Sequence, residues 1–405
     1  MKSRIKIYLA TINFIAISVL AGLMGIVFLP VLAHTMATVD FSSFSKELLY
    51  AQMISTPSIF GISAYLTTMV DKIGLKTEEI ARAFSDWILM LAILTMLIIF
   101  CGRMIGFSWS LLFLLLVSYA RAFQSVAAQC CRLLRSPIGF GLHQIAIPGS
   151  FYLAAVICSE FIGLSGELVF YTASGVYLLA AFYTWCKLKN LAWIGQIYFN
   201  KIRSISFVRF ALGAFLHSLA GLAVTSWDKV YSASVLSPED FGAYIVAAQY
   251  AGGLVLIFTA ISQAIVPQMY LILAKNERAD GAIRNFFLLM TSGFILLFAL
   301  FEVAVGPLIQ LVFPTHLYTA IPIAKALGFA GLLQGLYFLS SAVLFYYHRT
   351  FSLALITLIC GSVGIIYAMV LNVSGVFDII NIVIVVWVAF LVFTSIYSIY
   401  LLKNV

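Results

Sequence analysis

The chain has 405 residues, of which 63% are hydrophobic and only 9% are charged, and its formal net charge is +8. A soluble domain has roughly 25% charged residues, so a soluble fold of this length is excluded. The aromatic content of 15% excludes a disordered chain. Long runs without charge predict instead an all-α polytopic membrane protein. The basic excess does not indicate nucleic-acid binding, because the basic residues lie in short segments between apolar runs.

Taken in chain order, the apolar runs predict about twelve transmembrane helices, each of about the 20 residues that crossing the hydrocarbon core requires. The first run follows Lys2, Arg4 and Lys6 and is too long for the apolar part of a signal peptide. We therefore expect an uncleaved first span. The predicted spans lie near residues 7–31, 43–69, 86–102, 106–130, 142–163, 167–186, 207–227, 241–273, 286–306, 318–346, 351–372 and 378–402.

The distribution of lysine and arginine predicts the orientation of these spans, because cytoplasmic loops of membrane proteins are enriched in both residues. With the N-terminus inside, eighteen of the 23 basic residues fall in cytoplasmic segments. Only Arg103 and Lys229 fall on the opposite side. Both termini are therefore expected in the cytoplasm. The three remaining basic residues, Lys46, Arg121 and Lys325, lie inside predicted spans.

A basic and aromatic stretch in the middle of the chain divides the spans into two halves. We expect an N-terminal six-helix bundle over residues 1–190, a cytoplasmic amphipathic linker over 191–206 and a C-terminal six-helix bundle over 207–405. An offset of 200 residues pairs Asp40-Phe41 with Asp240-Phe241, which indicates an internal repeat. Six spans in each half predict an axis along the membrane normal, a transporter plan with the substrate site between the halves.

Polar or small side chains follow one face of spans 1, 2 and 7. A polar face on a membrane helix is expected to contact protein or water rather than lipid. For span 2 we favour a hydrated cavity, whereas for the small residues of spans 1 and 7 we favour close helix packing. Gly331 and Gly335 of span 10 form a GxxxG pattern that predicts packing. The polar positions are Ser45, Gln52, Thr56, Ser63 and Thr67 on span 2, and Ser218, Thr225 and Asp228 on span 7.

A charge inside the bilayer is costly and by default indicates function. Arg121 lies deep in span 4 with no acidic residue nearby, and snorkelling to the cytoplasmic face is the alternative. Lys325 lies at a depth similar to that of Glu302, so an ion pair would explain both. Asp228 is expected to end span 7 at the outer surface, where solvation is the alternative to a cavity role. With Lys46, the deep charges are mainly positive, which favours an internal cavity that attracts anions such as phosphate.

No enzyme signature is present. The sequence contains no HExxH, Walker, GxSxG or Asp-rich metal-loop pattern, and its cysteines lack the spacing of metal sites. We therefore expect a protein that is not an enzyme and that holds no metal or cofactor. The driving force for transport would be an ion gradient, the membrane potential or the substrate gradient.

Two neighbouring stretches, Trp227-Asp228-Lys229 and Leu236-Ser237-Pro238-Glu239-Asp240-Phe241-Gly242-Ala243-Tyr244, resemble the Wzx-type polysaccharide flippases of the MATE-like MOP exporter superfamily. In the first half, Val39-Asp40-Phe41-Ser42-Ser43-Phe44 has a serine in place of the glycine. The resemblance implies two six-helix bundles around a central cationic cavity in the bacterial inner membrane. It implies alternating-access translocation of an undecaprenyl-diphosphate-linked oligosaccharide to the periplasmic leaflet for O-antigen-like polysaccharide, with polysaccharide polymerase machinery as a partner.

The resemblance also suggests roles for the charged and polar residues. Arg121, Lys46 and Lys325 would attract the diphosphate and acidic sugars, and the lipid tail would stay among the membrane lipids. Asp228 or Glu302 would couple transport to H+ or Na+. Hydrogen bonds to the glycan are expected from Gln52, Thr56, Ser63, Ser218 and Thr225.

Three alternatives remain open at this point. The first is a MATE-like ion-coupled antiporter for drugs or metabolites. The second is a membrane-embedded glycan polymerase or ligase, which the short outer loops disfavour. The third is a scaffold without transport, which the presence of Arg121 inside a span disfavours.

Overall fold

The computed structural model describes residues 2–59, 87, 109–133, 136–190, 219, 221–222, 224–274, 280–347 and 349–404. Most of predicted span 3, the predicted linker over 191–206 and the sites proposed at Ser63 and Ser218 lie outside the described residues. Nearly every described residue is helical, and none lies in a strand. This confirms the all-α prediction. Eight helical stretches in the described part are long and apolar enough to cross a membrane, so the chain is a multi-pass membrane protein.

The helices follow the predicted order, and two π-helical turns, Leu142–Ala146 and Cys158–Ile162, lie on either side of the helix Ile147–Ile157. A short 3₁₀ turn at Thr315–Leu317 precedes the helix Ala320–Tyr346. The helices are α1 (Lys2–Thr35), α2 (Thr38–Ser58), α3 (Trp109–Leu133), α4 (Pro137–Gly141), α5 (Ile147–Ile157), α6 (Gly166–Asn190), α7 (residues 224–235), α8 (Pro238–Ala274), α9 (Asp280–Val312), α10 (Ala320–Tyr346), α11 (Thr350–Val370) and α12 (Val376–Asn404).

The predicted end of span 7 at residue 227 is wrong, because α7 continues to residue 235. Asp228 and Lys229 therefore lie inside the helix and not at its outer end. Hydropathy falls at this charged pair, and hydropathy alone cannot tell a helix end from a pair that is neutralised within the helix. The solvation alternative for Asp228 is also wrong, since only 4% of this residue is exposed.

The repeat of 200 residues is visible in the backbone. The helix breaks after residues 35 and 235 are followed by new helices at residues 38 and 238. The Met36 N–H donates to the Leu32 carbonyl at 3.0 Å, and the Leu236 N–H donates to the Ser232 carbonyl at 3.0 Å. The same positions are also buried in both copies: Phe41 and Phe241, Phe44 and Tyr244, and Ala51 and Ala251.

The stretch from Ser237 to Tyr244 is a helix start. The Ser237 hydroxyl accepts a hydrogen bond from the Asp240 N–H at 3.1 Å and donates to the Asp240 carboxylate at 3.0 Å. Pro238 occupies the first helical position, where its missing N–H removes no helical hydrogen bond. This is a helix cap in which the Ser237 hydroxyl satisfies one backbone N–H of the first turn and the Asp240 carboxylate holds that hydroxyl in place. In the first copy Ala37 stands in the place of Ser237 and has no side-chain oxygen that could cap the helix.

Close contacts divide the chain into two compact units. Unit 1 comprises Met1–Met24 and Ser43–Leu222, and unit 2 comprises Gly25–Ser42 and Ala223–Val405. Within unit 2, the C-terminal part of α1 packs on α8, because Gly25 leaves room for the Gln249 side chain and Gly253 leaves room for Ile26. The predicted division at residues 190 and 206 stays a prediction.

The core of unit 1 is aromatic. The Phe151 ring lies 6.1 Å from the Phe44 ring, 6.1 Å from the Phe170 ring and 5.2 Å from the Tyr177 ring, measured between centroids. These rings join α2, α5 and α6. Their packing holds the three helices in a fixed register, because aromatic pairs at these separations have preferred orientations.

The core of unit 2 forms where α8 crosses α10 at the GxxxG pattern. A methyl group on Gly331 would lie 3.1 Å from a Val255 methyl group, and one on Gly335 would lie 2.7 Å from the Phe258 ring. Both glycines are buried. The prediction that this pattern mediates packing is therefore confirmed.

We predict that Gly335→Ala destabilises unit 2, because the new methyl group overlaps the buried Phe258 ring. Overpacking of this kind costs about 1–3 kcal/mol. The matched control is Gly293→Ala on α9, where nothing lies within 4 Å of the added methyl group. Thermal unfolding of the purified protein in detergent measures the effect. Equal unfolding midpoints for the two variants would contradict the prediction.

Candidate functional site

Within the described part of α2, the side chains of the predicted polar face are not uniformly accessible. Ser45 is buried, whereas Gln52 is exposed and its carbonyl accepts a hydrogen bond from the Thr56 hydroxyl at 2.9 Å. The Lys46 ammonium lies 6.0 Å from the centroid of the Tyr50 ring, four residues further along the helix. Among the candidates on α2, Gln52 and Lys46 therefore offer groups that a ligand could reach.

Arg121 lies in the middle of α3, and its side chain stays inside unit 1. Its guanidinium carbon lies 5.2 Å from the centroid of the Tyr177 ring, and Tyr177 is a buried residue in the middle of α6. The snorkelling alternative therefore does not describe this side chain. One guanidinium nitrogen, Nη1, is buried and has no hydrogen-bond partner among the described residues. Within the same part of the chain, no carboxylate forms a salt bridge with Arg121.

One turn further along α3, Gln124 forms a buried hydrogen bond of 2.6 Å with His143 Nδ1. His143 belongs to the π-helical turn before α5, a kind of turn that is frequent at functional sites. The Gln124 amide nitrogen has no partner within the described ranges. Arg121 and Gln124 therefore place two donors without partners on one face of α3, where an acceptor from a ligand or water would satisfy them.

Unit 2 contains a cavity of about 220 Å³ among α7, α8, α10 and α12. Its polar lining comes from Thr225, Asp228 and Lys229 of α7 and from Gln334 of α10. The rest of the wall is apolar or glycine, with Gly252 on α8 and Trp387 on α12 among the lining residues. The cavity therefore presents a small polar surface inside a largely apolar pocket.

Asp228 is the buried charge of this cavity. Its carboxylate accepts a hydrogen bond of 2.6 Å from the Tyr244 hydroxyl, and each of its oxygens lies 3.3 Å from the Lys229 ammonium. The same ammonium donates to the Thr225 carbonyl at 2.9 Å. A buried carboxylate is tolerated when it is paired and hydrogen-bonded, and both conditions hold here.

The two halves of the repeat differ at this point. Phe28 and Phe44 occupy the positions that correspond to Asp228 and Tyr244. The acid and its phenol donor are thus present only in the second half of the chain. An alignment of the two copies gives the signal that could have identified Tyr244, because a hydroxyl is added where the first copy has none.

The second charge pair predicted from the sequence, Glu302 and Lys325, is more widely separated than Asp228 and Lys229. Glu302 on α9 is half-buried and within the electrostatic influence of Lys325, which is exposed on α10. Their charged groups are not within the 4.0 Å of a salt bridge in the described structure. The ion-pair explanation of these two residues is therefore not supported at contact distance.

The structure brings some of the predicted site residues together and leaves others apart. Thr225 and Asp228 line one cavity, whereas Lys46 and Arg121 lie in unit 1 beside different tyrosines. Sequence reasoning missed Gln334, although this amide stands between the two glycines of the GxxxG pattern. It also missed Trp387, for which a uniformly apolar run gives no signal. Among the described residues, no group of three or more His, Cys, Asp or Glu side chains could hold a metal ion.

We predict that Tyr244→Phe destabilises the protein by about 1.5–3 kcal/mol, because the buried Asp228 carboxylate loses a hydrogen bond to a charged group. In an Asp228→Asn background the same substitution should cost less, so the two changes are coupled. Denaturant unfolding of the four proteins of this cycle measures the coupling. Tyr318→Phe, which removes a hydroxyl bonded to the Gln310 carbonyl, is the control and should combine additively with Asp228→Asn.

No protein-family model and no curated protein matches the sequence, but solved structures match its fold. An inward-facing multidrug resistance MATE family transporter of the MOP superfamily aligns with a TM-score of 0.65 at 11% identity, over 95% of this chain and 96% of that chain. An outward-facing MATE family transporter aligns with a TM-score of 0.61 at 12% identity, over 97% and 95% of the two chains. The eukaryotic MATE transporter AtDTX14 aligns with a TM-score of 0.60 at 13% identity, over 98% of this chain and 94% of that chain.

Identities this low establish a fold and not an activity. The coverage is nearly complete in both directions, so the likeness concerns the whole chain and not one bundle. The predicted fold class, an all-α membrane protein of about twelve transmembrane helices, is confirmed. The chain has the fold of the MATE transporters of the MOP superfamily.

Proposed function

We propose that this protein is an alternating-access transporter that carries a lipid-linked oligosaccharide, attached through a diphosphate, across the bacterial inner membrane. The MATE fold supports transport as the general activity. The resemblance of Trp227-Asp228-Lys229 and the following helix start to Wzx-type flippases supports the substrate class. The observation that carries the proposal is the environment of Arg121.

Arg121 is a permanent cation in the middle of a membrane helix. A guanidinium does not lose its proton in proteins, so the charge persists in this apolar setting. Tyr177 contributes a cation–π contact, yet the buried Nη1 atom still lacks an acceptor among the described residues. A phosphate oxygen is the acceptor that guanidinium groups bind best, often through two parallel hydrogen bonds. These contacts favour an anionic substrate over a cationic one.

The remaining candidate residues take the roles proposed from the sequence. Lys46 and Lys325 contribute positive charge that attracts the diphosphate and acidic sugars. Gln52, Thr56, Ser63, Ser218 and Thr225 offer hydrogen bonds to the glycan. The polyprenyl tail stays among the membrane lipids, so only the polar head crosses the protein interior. Polysaccharide polymerase machinery at the periplasmic face would receive the product.

Asp228 is the better of the two candidates for ion coupling. It is buried in a cavity within unit 2, whereas Glu302 is half-buried beside the exposed Lys325. A carboxylate in a small polar cavity can exchange a proton or Na+ with water that enters the cavity. The ion gradient would then drive the cycle, since the sequence contains no nucleotide-binding motif.

A second candidate function is an ion-coupled antiporter for drugs or metabolites. The likeness to multidrug resistance MATE structures favours it. The two functions are separated by overexpression in a bacterial host. An antiporter raises drug resistance without changing surface glycan, whereas a flippase restores surface glycan in a strain that lacks its own flippase.

We predict that Arg121→Met abolishes glycan display in such a complementation strain while membrane insertion stays normal. Methionine fills the space of the side-chain stem but provides no charge, so the phosphate loses its partner. Arg121→Lys keeps the charge but not the planar fork and should restore display only in part. The measurements are surface glycan by lectin or antiserum, and protein amount in the membrane fraction.

The control for this prediction is Arg284→Ala, which removes an exposed arginine at the start of α9. It should display glycan as the wild type does. Wild-type display from Arg121→Met would remove Arg121 from the transport mechanism.

A further inference from the structure

The position where a free cation would bind Asp228 is already filled by the protein itself. The Lys229 ammonium lies 3.3 Å from both carboxylate oxygens, and Tyr244 occupies a further acceptor site at 2.6 Å. The pair carries no net charge in this arrangement. A free cation that entered the cavity would meet a neutralised carboxylate and gain little electrostatic attraction.

The contact between Lys229 and Asp228 joins adjacent residues of α7. Adjacent residues of an α-helix point about 100° apart, since the helix has 3.6 residues per turn. The lysine side chain must therefore fold back along α7, where the Thr225 carbonyl holds its ammonium at 2.9 Å. This bond is the second anchor of the ammonium. The Lys229 side chain is 29% exposed, whereas the Asp228 side chain is only 6% exposed. The lysine is therefore the more accessible member of the pair.

If the Lys229 ammonium moved away, the cavity would still provide oxygen ligands for a cation. Oxygen atoms are available from the Asp228 carboxylate and from the Gln334 side chain, which makes no hydrogen bond to another described residue. The cavity volume of about 220 Å³ is well above the roughly 10–15 Å³ that a single water requires, so the cavity has room for a cation together with water. Nothing lies within 4 Å of a methyl group added to Gly252, so the cavity is open beside this glycine.

We propose that the Lys229 ammonium, which is fixed to the chain, competes with a free cation for the binding site at Asp228. A monovalent metal cation such as Na+ binds in this cavity only when the ammonium moves away, and removal of the ammonium converts a weak site into a strong one. The inference concerns the ion-coupling part of the proposed function. It makes Lys229 the residue that sets the affinity of the site, and it does not depend on which substrate is transported.

The test is a NaCl titration of the purified protein in detergent, with choline chloride keeping the ionic strength constant. Thermal unfolding reports binding, because a ligand that binds only the folded state raises the unfolding midpoint. Lys229→Met should lower the half-saturating Na+ concentration at least tenfold relative to the wild type. The double variant Asp228→Asn/Lys229→Met should lose the response, because no carboxylate remains for the ion.

Two controls make the result specific. Arg284→Met removes one exposed positive charge outside the cavity and should respond to Na+ as the wild type does. Lys229→Arg keeps a tethered cation beside Asp228 and should also behave as the wild type. If Lys229→Met does not yield folded protein, Lys229→Gln removes the same charge and is titrated in its place.

Two results would overturn the proposal. One is an unchanged half-saturating Na+ concentration in the charge-removing variant of Lys229. The other is a Na+ response that survives the double substitution, because the ion would then bind elsewhere. Glycan display is not measured in this titration, so either result leaves the flippase proposal to the Arg121 experiment.

Discussion

Hydrocarbon cannot form hydrogen bonds, and this constraint governs the rest of the structure. Every backbone group in the membrane must find a partner within the protein, which explains why the described residues are almost entirely helical. The same constraint applies to side chains. A buried carboxylate such as Asp228 is stable because Tyr244 and Lys229 satisfy it. A group that is not satisfied, such as Nη1 of Arg121, is a place where a ligand or water would be expected.

The two copies of the internal repeat share a backbone arrangement but differ in their buried side chains. The helix breaks near residues 36 and 236 have matching backbone hydrogen bonds, and buried aromatic residues follow each break at the same spacing. The second copy has a buried acid where the first copy has Phe28, and the first half has instead a buried cation at Arg121. The acid of unit 2 is thus paired with the neighbouring Lys229, whereas the Arg121 guanidinium of unit 1 forms no salt bridge within the described residues.

The motif that supports the flippase resemblance has a structural explanation. Ser237, Pro238 and Asp240 begin α8 through a capping arrangement, which any helix in this position could use. The part of the motif that reaches a cavity is Asp228-Lys229, and the part that completes it is Tyr244. The motif thus combines a helix start with a polar site.

The sequence by itself determined the helical membrane fold, most helix positions and the repeat, because apolar runs, loop charges and a fixed offset are local properties of the chain. It also identified Arg121 and Asp228 as unusual, since a charge in an apolar run is visible without a structure. Only the tertiary structure decided how these charges are satisfied. The contact of Arg121 with Tyr177 and the meeting of Asp228 and Gln334 at one cavity join residues far apart in the sequence. Such meetings depend on which helix faces pack together, and hydropathy contains no information about that choice.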